Sequence, residues 1–90
     1  MGSSVKDYNT KADFVDTSLE RYLKLRQGVS ATTGRNISLS TEEYSEFISL
    51  NSQMADMFPT LIDGYNSQGD AILKLSSNAD TATESVRKLL

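Results

Sequence analysis

The sequence predicts a mainly α protein: a small helical bundle or helical hairpin of about three helices, with a short β-hairpin at about residues 61–75. Three observations predict it. Apolar residues recur at helical spacing in three separate stretches. A capping-box sequence, Ser40-Thr-Glu-Glu43, opens the middle stretch, and the chain's one proline, Pro59, closes it. Beyond Pro59 the helical period is lost, and Asp63-Gly64 and Asn66-Ser67-Gln68-Gly69 bring turn residues between two short apolar runs. An all-α coiled-coil fragment is the alternative, with 61–75 helical and broken at a glycine.

The first stretch carries Val5, Tyr8, Ala12, Val15, Leu19 and Tyr22 at 3-4-3-4-3 spacing. One helix is expected from about residue 5 or 10 to 27. Thr10 is a candidate N-cap, and Gly28 a candidate C′ residue behind Lys24 and Arg26. The stripe fits either one face of a bundle or a coiled-coil seam with another chain. Residues 28–39 (GVSATTGRNISL) read as a loop that holds, at most, a short irregular strand at 36–38.

The second helix is expected to start at Ser40, with Glu43 at N3 and a hydrophobic staple between Leu39 and Tyr44. Its apolar face runs through Tyr44, Phe47, Ile48, Met54, Ala55, Met57 and Phe58, interrupted by Asn51. Pro59 ends it near Met57. In the hairpin that follows, Gly69 is expected to supply a positive φ. The last helix is expected within Ser76–Leu90, capped by Ser77 or Asn78, with Ala79, Ala82, Val86 and Leu89 on one face.

Composition narrows function. The chain has 90 residues, no His, no Cys and no Trp, and a net charge of −3. One small domain is the most that length holds, and neither disulfides nor a Cys/His zinc site can support it. The acidic balance argues against nucleic acid, which needs a cationic face. No apolar run approaches the about 20 residues of a membrane span. Residues 1–4 (MGSS) read as an appended leader, and residues 5–90 as a single small helical module cut from a longer protein.

No catalytic, cofactor-binding or metal-ligating set emerges. Glu43 and Glu46 share a helix face but lack the further oxygens a cation needs. The Asp63–Asp70 segment fails as an EF-hand loop, because registering Gly69 at position 6 puts Gly64 at position 1 and Leu75 at position 12. Thr81, Thr83 and Ser85 have no histidine to activate them. The residues that stand out form a packing or interaction face: Val15, Leu19, Tyr22, Tyr44, Phe47, Ile48, Met54, Met57, Phe58, Val86 and Leu89. Within it, Phe47, Met54, Met57 and Phe58 read either as core or as an adaptable groove for a partner.

The block LSTEEYSEFISLNSQMADMFPTLIDGYNSQGDAILKL, residues 39–75, resembles a recurring segment of the tail tape measure proteins of phages and prophages of Gram-positive bacteria. The features that carry the resemblance are LSTEEY, N-x-x-M-A-x-M-F-P, and L-I-x-G-Y-N-S-Q-G-D-A-I-L. It covers about 40 of the 90 residues; the flanking helices match only as generic helix. The resemblance implies a structural segment of a long helical protein that helps set tail length during virion assembly. It implies the host cytoplasm and then the virion tail as location, and tail tube and tail assembly proteins as partners. Other helices of the parent protein, or self-association, would cover its apolar faces. The small type VII secretion hairpins, similar in length, carry a Trp-x-Gly turn that this sequence lacks. The second functional expectation is a helical protein–protein interaction domain that uses the Met/Phe-rich face as a groove.

Overall fold

The computed structural model describes residues 2–90, with side chains from Tyr8 onward. Four helices and one hairpin follow in chain order: α1 (Gly2–Thr17), α2 (Leu19–Arg26), α3 (Thr41–Met57), a 3-10 turn (Pro59–Leu61), β1 (Ile62–Tyr65), β2 (Ala71–Leu73) and α4 (Ala79–Arg87). The expected mainly helical fold with a short hairpin is what forms, with one helix more than expected.

The extra helix comes from a break in the first stretch. Ser18 leaves helical geometry at φ −124°, ψ −23°, and its side chain makes no cap. Thr17 donates its hydroxyl back to Asp13 O at 2.8 Å, a bond that competes with the helical ladder and bends helices. Thr10 is helix interior, not a cap. Gly28 follows the C-cap Gln27 as expected, but its φ is not positive. Glycine is needed there for space, since a Cβ would lie 2.5 Å from Leu39 Cδ2. The carbonyl of Gly28 accepts from both Ile37 N–H and Ser38 N–H, so the 28–39 loop folds back onto its own start. The loop contains one isolated bridge, Val29 with Asn36, in place of a strand at 36–38.

α3 begins as the sequence requires. Ser40 Oγ accepts from Glu43 N–H, and a Glu43 carboxylate oxygen accepts from Ser40 N–H. Leu39 and Tyr44 both pack against the core. The helix stops at Met57, with Phe58 as C-cap before Pro59.

β1 and β2 pair antiparallel, with Ile62 opposite Leu73 and Tyr65 opposite Ala71; the register shifts between Ile62 and Gly64. Gly69 sits at φ +84° in the connecting turn, the left-handed region expected for it. The turn is organised by Asn66, whose side-chain oxygen accepts from Gln68 N–H and Asp70 N–H. Asn78 caps α4 by accepting from Thr81 N–H at 3.0 Å.

α2 lies at the centre and packs against α1, α3 and α4, while β2 packs on α3. The core gathers Phe14, Val15, Leu19, Tyr22, Leu23, Leu25, Val29, Phe47, Met54, Phe58, Leu73, Ala82 and Val86. The radius of gyration is 12.9 Å, close to the about 12 Å of a folded chain this long. The hairpin is therefore not alone: α3 supports one face, and on the other the 28–39 loop approaches, with Gly34 against Ile72 and Asn66 Nδ2 donating to Thr33 O at 3.0 Å.

Candidate functional site

The expected packing face turns inward. Val15, Leu19, Tyr22, Phe47, Met54, Phe58 and Val86 are buried, and Tyr44, Ile48 and Met57 are partly buried against them. The structure thus brings ten of the eleven residues into one cluster. Leu89 is the departure: α4 ends at Arg87, so Leu89 leaves the helical face and stays 41% exposed. Of the rest of the first stripe, Tyr8 is exposed, and the side chain of Val5 lies outside the described residues. Of the Met/Phe face, Phe47, Met54 and Phe58 are covered by the protein's own elements, and Met57 is partly buried beside a shallow cleft of about 180 Å³ that it shares with Thr10 and Phe14.

The residue that joins these elements is the one sequence reasoning took as an interruption. Asn51 is 5% exposed and is the buried polar side chain of the core. Its Oδ1 accepts from Tyr22 O–H at 2.7 Å, and its Nδ2 donates to Ala71 O at 2.8 Å. One amide therefore ties α2, α3 and β2 together. Around it, Tyr22 stacks on Phe47 (centroids 5.5 Å, planes 8° apart), and Tyr44 stacks on the same Phe47 at 6.2 Å and 12°. Tyr44 O–H reaches on to Gly34 O at 2.8 Å and anchors the long loop. Burial pushes the Tyr22 phenol up to about 12, against the pull of the nearby Arg26 charge.

A sequence signal for Asn51 did exist. An asparagine four residues after Phe47 and three before Met54 lies in the middle of the apolar stripe, and a polar side chain there must find partners or leave the core. Which partners it finds depends on tertiary contacts that no local pattern contains.

Arg26 is a second such residue. Its Nη2 donates to Leu73 O at 3.1 Å, so the outward carbonyls of β2 at 71 and 73 both end on side chains. On the surface, Arg21 forks onto Glu46, with both N–O distances at 3.0 Å. That hydrogen bond holds the Glu46 carboxyl below its usual range and raises Arg21. Glu43 is likewise lowered, first by the hydrogen bond from the Ser40 backbone. Glu43, half-buried, serves a helix start, and Glu46, exposed, serves an ion pair.

Among the described residues, no group of three or more acidic, His or Cys side chains could hold a metal ion. Among the same residues, no helix is long and apolar enough to cross a membrane. Two clefts remain. One, of about 410 Å³, runs between the α1–α2 region and α4, bounded by Asp16, Glu20, Asp80 and Arg87 over Leu19. Arg87 lies 3.6 Å from Asp16 across it. The other, of about 180 Å³, opens between α3 and the hairpin beside Asn51.

No family model matches this chain, and no solved structure is significantly similar to it.

Proposed function

We propose that this chain is a non-catalytic assembly module of the tape measure type, a folded bead within a long helical tail protein. The observation that supports this reading best is the coincidence of the resembling block with one structural unit. Residues 39–75 run from the capping box, through α3 and the Phe58-Pro59 stop, to the end of the hairpin. Asn51, inside the block, pins α3 to β2, also inside it. The motif residues therefore serve each other's packing, which is what a repeated structural segment requires.

The residue inventory favours structure over chemistry. With no His and no Cys, the chain lacks the commonest general base and the commonest thiol nucleophile. Its apolar stripes are covered mostly within the chain, so contacts to neighbours fall to the surface and to the ends of the stripes. The groove-type interaction domain finds no support in the buried Met/Phe face.

The test is direct. Tails purified from an induced host carrying this gene are digested and examined by mass spectrometry. Peptides from this chain should co-purify with tail tube protein at a few copies per particle. Intact tails without them refute the proposal.

A further inference from the structure

The two edges of the hairpin are treated differently. On β2, the carbonyls of Ala71 and Leu73 are occupied by Asn51 Nδ2 and Arg26 Nη2. That edge is closed. On β1, Ile62 N–H closes the 3-10 turn on Pro59 O. Beyond it, no hydrogen bond from outside the sheet reaches the strand among the described residues. A side chain added at Gly64 would meet nothing within 4 Å, and Tyr65 is 66% exposed. Open strand edges are templates for a further strand, and folded proteins usually blunt them. Here one edge is blunted and its neighbour is left free.

The smaller cleft adjoins this free edge. Its wall is partly apolar, with Ile48, Ala55 and Ala71, and Tyr65 stands at it. Two carboxylates, Asp56 and Asp70, also line it, and no Lys or Arg does. Asp63 is exposed on the strand itself. At about 180 Å³ the cleft is smaller than the roughly 300–1,000 Å³ typical of small-molecule sites. Its size suits one side chain, and its charge suits a cation whose aliphatic stem lies along Tyr65 and Ile48.

We propose that the free edge of β1 receives an extended segment of another protein as an added strand, with a lysine or arginine of that segment seated in the cleft toward Asp56 and Asp70. The main chain of the guest pairs with β1, and the cleft supplies the preference for a basic residue. A second copy of this chain is a poor occupant. Edge-to-edge pairing of two β1 strands brings Asp63 of each copy toward the other, beside two acidic clefts that hold no Lys or Arg, and like charges opposed across strands repel. The proposal stands whether or not the tape measure reading holds.

The test uses the whole chain, 15N-labelled, titrated with three capped heptapeptides built from alternating valine and threonine. One carries a central lysine, one a central glutamate, and one the lysine with N-methylated backbone amides on one edge. The lysine peptide should saturate and shift the amide signals of Gly64, Tyr65 and Asp70. The glutamate peptide should bind at least about tenfold more weakly, and the N-methylated peptide should lose most binding. The exposed changes Asp56→Asn and Tyr65→Ala should each weaken the lysine peptide, with circular dichroism unchanged. Equal binding of lysine and glutamate peptides overturns the role of the cleft. Equal binding of the N-methylated peptide overturns strand addition. Shifts at Gly64–Tyr65 that grow with protein concentration alone assign the edge to a second copy and overturn the proposal.

Discussion

Replacing Asn51 by leucine tests the central claim about this fold. Leucine is close in size and suits an apolar stripe, so helix propensity and patterning alone predict a gain in stability. The structure predicts a loss. The substitution leaves the Tyr22 phenol, 0% exposed, without an acceptor, and Ala71 O without its donor. A buried polar group left unpaired costs about 1–3 kcal/mol. Ala71 is only half-buried, so water reaches it and its share falls at the low end. After a gain of about 1 kcal/mol from the more apolar side chain, the net loss is about 1–3 kcal/mol, out of the roughly 5–13 kcal/mol typical for 90 residues. Tyr22→Phe keeps the stack on Phe47, frees only Asn51 Oδ1, and costs about 1–2 kcal/mol. In the double variant the orphaned phenol is gone, so the two losses fall short of additivity by about 1–2 kcal/mol. Urea unfolding of the four proteins, followed by far-ultraviolet circular dichroism, measures this cycle. An Asn51→Leu protein as stable as the parent, or losses that add within about 0.5 kcal/mol, would refute the reasoning.

Three further outcomes are expected. Gly28→Ala drives a methyl group into Leu39 and should cost about 1–2 kcal/mol after Leu39 shifts, whereas Gly64→Ala enters open space and should be neutral or slightly stabilising; paired thermal melts compare them. Ser40→Ala removes the oxygen that caps the Glu43 N–H and should cost about 1 kcal/mol by thermal melt, while the carboxyl of Glu43, still accepting from the backbone N–H at position 40, should remain lowered when titrated by NMR. The same carboxyl, lowered in the folded state, supports stability above its unfolded pKa, and this support is lost as pH falls through the folded value. Tyr22 gives the opposite sign: its pKa is raised in the fold, so its contribution is whole below about pH 10 and disappears as pH climbs toward about 12. Unfolding by alkali should therefore steepen in that window for the parent protein and be weaker in Tyr22→Phe.

The elements that local chemistry specifies were legible in the sequence. Ser40 and Glu43 fix the start of α3 through backbone groups only a turn away, Pro59 fixes its end, and Asn78 fixes the start of α4. Gly69 was legible because its turn demands a positive φ. What was not legible depends on partners distant in the chain. The stripe from Val15 to Tyr22 keeps its period across Ser18, so periodicity could not show the helix break that Thr17 and Asp13 make. Gly28 was found for the wrong reason, because the crowding by Leu39 exists only once the loop has folded back. Asn51 was misjudged because its partners stand 29 and 20 residues away. The two strand edges look alike in sequence and differ only through Asn51 and Arg26.

The shortest helix has a consequence for how this molecule yields to force. α2 has eight residues, too few to persist as an isolated helix in water. Yet Tyr22, Leu19 and their neighbours touch every other layer. Neither terminal half retains a scaffold once the other is pulled away: the N-terminal half keeps α2 without α4 and most of α3, and the C-terminal half loses α2 altogether. Stretched end to end, the protein should give a single rip, with no resting point between the intact bead and the bare thread.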